Sequence, residues 1–149
     1  MNDINKSFNQ LTSCCSLTSS KSIIIVDDEP DICETFKIIL QENEYSVNAF
    51  TNPLVALEHL LNNPNKYELV ISDYRIPYLN GCEFGAKVKE LNRNIKVILI
   101  SAYDSIEDNK LNFELHRKPV TLQKLLDIVN FSLNNNPIPL SSSARLDEI

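Results

Sequence analysis

Three short apolar runs in this chain each stop abruptly on a carboxylate or a hydroxyl, and that pattern restricts the fold more than any other feature. Ser22-Ile23-Ile24-Ile25-Val26 stops at Asp27-Asp28-Glu29, Leu69-Val70-Ile71 passes through Ser72 to Asp73, and Ile95 to Ile100 stops at Ser101-Ala102. Runs this apolar and β-branched belong to strands covered on both faces, the condition of a parallel sheet. An ionised side chain set against such strands is costly unless a cation or a proton meets it. The central case is Tyr67 to Gly81. There Asp73 falls on a loop stiffened by Pro77 and closed by Asn80-Gly81, a turn pair.

The segments between these runs read as helices. Pro30 suits a first turn, and Ile32, Phe36, Ile39 and Leu40 recur at helical spacing as far as Asn43. Tyr45 to Phe50 alternates as a second strand. Thr51 or Asn52 can cap a helix opened by Pro53, with Leu54, Leu57, Leu60 and Leu61 assigned to its inner face and Pro64 ending it. A helix from Cys82 to Asn92 turns Phe84, Val88 and Leu91 inward. A short polar helical stretch, Asp104 to Leu111, precedes a fifth strand, Phe113 to Arg117, which Lys118-Pro119 ends. The last helix, Thr121 to Leu133, carries a stripe of Leu122, Leu125, Leu126 and Val129. Five strands alternating with helices imply an α/β fold: a parallel sheet, right-handed crossovers and helices on both faces. Residues 21–134 are read as one domain, 1–20 as a flexible arm and 135–149 as a disordered tail, the two ends being rich in Ser, Asn and turn formers without a period.

Composition removes several functional classes. A chain of 149 residues has room for one domain with a real core. A net charge of −6 offers no basic patch for phosphates, so neither nucleic acid nor a membrane surface is an expected partner. No apolar run approaches the ~20 residues of a membrane span. The start, MNDINKSFNQ, lacks the basic and apolar regions of a signal peptide, so a cytoplasmic location is expected. Cys14, Cys15, Cys33 and Cys82 fit neither a zinc pattern nor a disulfide framework. Gly81 and Gly85 are the only glycines, which excludes glycine-rich nucleotide loops.

Ligands of parallel sheets sit beyond the carboxyl ends of the strands. The polar residues falling there are Asp27 and Asp28, Asp73, Ser101 and Lys118, at strands one, three, four and five. Three carboxylates form a hard, all-oxygen, negative cluster suited to Mg²⁺ with several waters retained. Lys118 offers a compact positive charge to a phosphate oxygen, Ser101 offers a hydroxyl, and Ala102 leaves the approach uncrowded. These are the requirements of an aspartyl-phosphate site, where positioning and electrostatics supply the catalysis. Each residue also has a plainer reading. Asp27-Asp28 can complement a helix dipole, Asp73 can be a turn residue, Ser101 a cap, and Lys118-Pro119 a strand terminator. Their coincidence on one edge of the sheet favours the site.

The segments IIIVDDEP, VISDYRIPYLNG, VILISA and RKP resemble a response-regulator receiver domain of two-component signalling, over Ser22 to Leu133. The resemblance implies a flavodoxin-like, doubly wound sandwich with strand order 2-1-3-4-5, an order taken over with the family. It implies Asp73 as phosphoacceptor, Asp28 as a direct Mg²⁺ ligand, Asp27 as a ligand acting mainly through water, and the backbone carbonyl of Arg75 as a further ligand. Ser101 and Lys118 would hold the phosphoryl group. Arg75 and Tyr103, which border the route of an attacking water, would tune its lifetime together with Ala102. The donor would be a histidine kinase or phosphotransfer protein, and the signal would pass to a downstream protein or end in a phosphate sink. The family usually places Tyr or Phe three residues before the lysine as a switch, whereas Leu115 stands there in this chain. Ser101 to Lys118 is shorter than usual, which implies a fourth helix shortened to one or two turns, or partly irregular. His116, alone on a strand, is read as packed or solvated. The expectation is a stand-alone receiver that catalyses only its own phosphoryl transfer and dephosphorylation. One alternative is an Asp-nucleophile phosphatase, whose paired aspartates one residue apart are missing from Asp27-Asp28-Glu29. The other is an interaction module that keeps the fold without phosphorylation.

Overall fold

A computed structural model describes residues 20–134; the expected arm and tail fall outside the described residues, save Ser20. The elements run β1 (Ser22–Val26), α1 (Pro30–Glu42), β2 (Ser46–Phe50), α2 (Pro53–Asn62), β3 (Leu69–Asp73), α3 (Gly81–Leu91), β4 (Lys96–Ser101), β5 (Glu114–Arg117) and α4 (Leu122–Asn134). All strand pairs are parallel, in the order β2-β1-β3-β4-β5.

The alternation of strand side chains divides the core into two layers. Ile24, Val26, Val70, Val97 and Leu99 face α2 and α3, packing with Ala56, Leu60, Phe84 and Val88. Ile23, Ile25, Leu69, Ile71, Ile98 and Ile100 face α1 and α4, packing with Phe36, Leu40, Leu125 and Val129. The β1 residues Ile23 to Val26 are at most 1% exposed. Each such side chain contributes about 1.5–3 kcal/mol by leaving water, so β1 is held far more firmly than one charge at its tip can loosen it.

The helix starts follow local chemistry. Asn52, of the two candidate caps, accepts a hydrogen bond from Leu54 N at 2.8 Å ahead of Pro53. Asn80 and Glu83 form a reciprocal capping box at the start of α3, each accepting a backbone N–H at 2.9 Å. Gly81 is required there because a Cβ would lie 2.9 Å from Tyr74 Cα and 3.0 Å from Asp73 O. The helix thus begins hard against the end of β3.

Three expectations need correction. On α2, Leu54 and Leu61 are 47% and 61% exposed, while Pro53, Ala56 and Leu60 are buried. Leucines occur around much of this helix, and the stripe that meets the sheet is the one containing small Ala56. On α4, Leu122 is exposed and Ile128 takes its place in the core. Between β4 and β5 there is no helix among the described residues, not even a short one. Two turns replace it, closed by Asn109 N to Ile106 O at 3.2 Å and Asn112 N to Asn109 O at 3.1 Å. Asn109 also bonds Phe113 through both backbone groups, at 2.8 and 2.9 Å, and Asn112 takes a φ of 58°. Side chains that bond nearby backbone offer an alternative to helical bonding.

A candidate phosphoacceptor site at the strand ends

The buried strands deliver their terminal carboxylates to one place. Asp27 follows β1, is 7% exposed, and accepts a hydrogen bond from Glu29 N at 2.9 Å. Asp73 ends β3 at 6% exposure, and Asp28 lies at the surface beside them. Carboxylate oxygens of Asp27, Asp28 and Asp73 all lie within 4.8 Å of one another. Lys118 follows β5, and its Nζ donates to Asp73 Oδ2 at 3.0 Å. Its backbone is tied to the end of β4 by Lys118 N to Ser101 O at 2.8 Å, next to a cis Lys118–Pro119 peptide. Ser101 is buried one residue past Ile100, the register partner of Asp73, and its Oγ accepts from Tyr103 N at 3.0 Å.

One lysine does not neutralise three carboxylates. Burial pushes Asp27 up to about 6; the Glu29 N–H opposes this, and the charges of Asp73 and Asp28 add to it. Burial alone would lower the Lys118 amine, but its hydrogen bond to Asp73 and the charges of Asp73, Asp27 and Glu29 raise it overall. At intermediate dielectric each close carboxylate pair costs on the order of 1 kcal/mol or more. The donor set is all oxygen, compact and short of positive charge, which fits Mg²⁺. The buried Cys33 thiol, bonded to Asp27 O at 3.1 Å, is pushed up to about 11 by burial and then by Asp27, leaving it protonated and unreactive.

The remaining expected residues form a rim. Arg75 N points at Asp73 Oδ1 from 3.4 Å, a long contact. Its guanidinium turns to Tyr103, with Nη2 donating to the hydroxyl at 3.0 Å and Cζ 5.7 Å from the ring centroid. Ala102 is exposed beside them. A cleft of 660 Å³, lined by Asp28, Tyr74, Arg75, Ile76, Pro77 and Asn80, opens from the cluster to solvent. Leu115 lies away from this rim, half-buried against the α2–α3 layer opposite Leu99. His116 also lies outside it, paired with Glu114 at 2.6 Å.

Sequence reasoning missed Asp108. Its Oδ1 accepts from the Tyr74 hydroxyl and its Oδ2 from Asn80 Nδ2, both at 3.0 Å, so it straps the β4–β5 connection to the loop after Asp73. The partners lie 34 and 28 positions away, and nothing local separates this aspartate from other surface acids.

The chain belongs to the response regulator receiver domain family, whose family model matches residues 23–130. It is similar to response regulator protein PilR of Pseudomonas aeruginosa, 30% identical over 126 residues, covering 80% of this chain and 28% of PilR. It is also similar to sporulation initiation phosphotransferase F of Bacillus subtilis, 30% identical over 115 residues, covering 74% of this chain and 91% of that protein. Among solved structures, a CheY-like receiver domain protein from Methanospirillum hungatei superposes with a TM-score of 0.72 at 29% identity, covering 78% of this chain and 96% of that one. TrrA of Thermotoga maritima, solved in complex with Mg²⁺ and BeF, gives 0.66 at 31% identity, covering 76% and 99%. Longer regulators contain a counterpart of the chain as one part: it spans 19%, 28% and 51% of three of them. The fold and the family make this a phosphoacceptor domain of two-component signalling. No helix among the described residues is long and apolar enough to cross a membrane.

Proposed function

We propose that Asp73 accepts a phosphoryl group from a histidine kinase or phosphotransfer protein in the cytoplasm. Asp27, Asp28, Asp73 and the backbone carbonyl of Arg75 would hold Mg²⁺. The observation that carries this reading is the contact of Lys118 Nζ with Asp73 Oδ2 at 3.0 Å, inside a cluster of three carboxylates within 4.8 Å. Lys118 occupies Oδ2 and leaves Oδ1, which among the described residues receives only the long Arg75 N–H contact, as the attacking oxygen. As Oδ1 bonds to phosphorus, the bond from phosphorus to the donor nitrogen breaks and the freed imidazole keeps that electron pair. Mg²⁺, when bound, offsets charge on the phosphoryl oxygens. Lys118 does the same from the other side. The Ser101 Oγ already accepts the Tyr103 N–H, so its own proton is free to be donated to a phosphoryl oxygen. Ala102 leaves that approach open, and the Arg75–Tyr103 pair borders the path of the water that ends the state.

Leu115, at the switch position, has no polar tip to exchange between solvent and core. Its environment therefore contributes little free-energy difference between two states. The signal leaves by the loops after β1, β3 and β4, reaching a downstream protein or serving as a phosphate sink.

The test is intact mass after incubation with acetyl phosphate and Mg²⁺. The wild type gains one phosphoryl mass, Asp73→Asn gains none, and Lys118→Ala labels slower by roughly 10²-fold or more. Equal labelling of Asp73→Asn would overturn the assignment.

A further inference from the structure

The net charge of −6 conceals a local reversal. At the opposite end of β4 from Ser101, three cations, Lys89, Arg93 and Lys96, and one carboxylate, Glu114, rim an open trough of 540 Å³ whose apolar wall is Val97, Leu111 and Phe113. It exists because turns, not a helix, connect β4 to β5. The Phe113 ring lies directly on Gly85 of α3, where a Cβ would be 2.8 Å away, and Leu111 is left 57% exposed. Among the described residues only Lys96 of the three cations has a carboxylate partner, Glu114 at 3.3 Å. Lys89 donates instead to the Arg93 carbonyl at 3.2 Å. Burial, and then the charge of Lys96, holds the Lys89 amine below the usual lysine range. Lys89 and Arg93 also complement the carboxyl end of the α3 dipole. Neither that role nor the Lys96–Glu114 pair accounts for the exposed leucine.

We infer that this trough is a docking surface for an acidic peptide segment of a partner protein. One aliphatic or aromatic side chain would sit on the exposed Leu111, backed by the buried Phe113 and Val97, with flanking carboxylates meeting Lys89 and Arg93 while Lys96 stays with Glu114. Charges of opposite sign around an apolar seat give register and orientation to a bound segment. An anionic membrane is a poorer fit: the trough is concave and the rest of the chain is acidic, so a flat negative surface would be repelled. A short peptide meets only the local field, because charges beyond about 8 Å are screened at physiological salt. The trough lies about 16 Å along β4 from Ser101, so the inference goes beyond the phosphoacceptor reading and does not rest on it.

The experiment selects random displayed dodecapeptides on the full chain, with Lys89→Glu/Arg93→Glu as counter-selection. The recovered peptides should carry Asp or Glu on both sides of Leu, Ile, Phe or Met. By fluorescence anisotropy their affinity should fall about tenfold or more in the double variant and decline with salt. Circular dichroism and acetyl phosphate labelling of the variant should match the wild type within about twofold. If the reversal prevents folding, Arg93→Gln/Lys96→Gln carries the same comparison, with a loss of about threefold expected. Peptides without acidic residues, or affinity indifferent to these substitutions, overturn the proposal. So does sedimentation with phosphatidylserine vesicles in place of peptide binding, which would assign the trough to a membrane. Peptide binding seen only after removal of residues 135–149 also overturns it, by making the chain's own tail the occupant.

Discussion

The carboxylate cluster and the β4–β5 connection both border the same loop after Asp73, yet they are held in place by different means. Asp27 and Asp73 project from strands whose preceding residues are almost wholly buried, so the backbone that aims them cannot yield. The connection has no such backing. It is shaped by Asn109 on Phe113, by Asp108 on Tyr74 and Asn80, and by the seating of Phe113 on Gly85. Repelling charge is concentrated where packing can sustain it, and structural freedom lies where single side chains supply the restraint.

The largest expected effect breaks the connection and leaves the cluster. In Gly85→Val the new side chain has no room against the Phe113 ring and should cost about 3 kcal/mol, the upper end for overpacking. The melting temperature should drop by roughly 10 °C. On a Phe113→Leu background the same substitution should cost less, since the obstructing ring is gone and Val97, 3.1 Å from the new Cβ, is the tight contact left. Acetyl phosphate labelling of the folded fraction should persist. Equal costs on both backgrounds would show that Phe113 does not hold the connection against α3.

A smaller effect probes the strain in the cluster through pH. Asp27 titrates near 6 in the folded chain against a usual value of 3.8. Above pH 6 it is ionised in both folded and unfolded states, and its burial counts against the fold. As pH falls through 6 the folded chain takes up the proton first, so metal-free stability rises; the gain is complete below about 4 and is lost again as pH rises through 6. Allowing for solvent at the cluster, the gain is on the order of 1–2 kcal/mol, and Asp27→Asn should remove this pH dependence. Millimolar Mg²⁺ should act in the opposite sense. It competes with the proton on Asp27, so it should raise the melting temperature at pH 7.5 and do little at pH 5. Asp28→Asn should remove most of that rise. Melting curves indifferent to Mg²⁺ at pH 7.5 would count against the metal reading.

Most of the first region was legible in the sequence, and little of the second. Buried parallel strands require continuous apolar, largely β-branched runs, and a run that stops on Asp27, Asp73 or Ser101 marks the candidate edge without knowledge of neighbours. Strand order was readable only through the family resemblance, because periodicity does not encode which strands pair. Leu54 and Leu61 misled because α2 carries leucine around much of its circumference, and only the sheet selects the side holding Ala56. The stretch from Asp104 to Leu111 reads as a short polar helix in the sequence; Asn109 and Asn112 redirect it through bonds made only in the folded chain. The Asp108 strap was invisible for the same reason.

The smallest expected effect sharpens the comparison at its joint. Asp108 is the residue through which the connection grips the loop after Asp73, holding the Tyr74 hydroxyl and Asn80 at once. Removing it in Asp108→Ala should cost only about 1 kcal/mol, because these bonds are partly exposed and water can replace the lost acceptor. The local consequences should be clearer. The Tyr74 hydroxyl is pushed up to about 12, first by burial and then by its bond to Asp108 and that residue's charge. In the variant its titration, followed by ultraviolet absorbance, should move part of the way back towards 10 and no further, since burial remains. Amide exchange across 104–112 should quicken while that of β1 and β3 stays unchanged. Addition of beryllium fluoride and Mg²⁺ to the wild type should shift amides in both the Tyr74–Gly81 loop and 104–112. In Asp108→Ala the second set should shrink. Unchanged exchange in 104–112, or shifts that spread across Phe113 to Leu126 with or without Asp108, would show that the signal bypasses this strap and leaves by the β5 face.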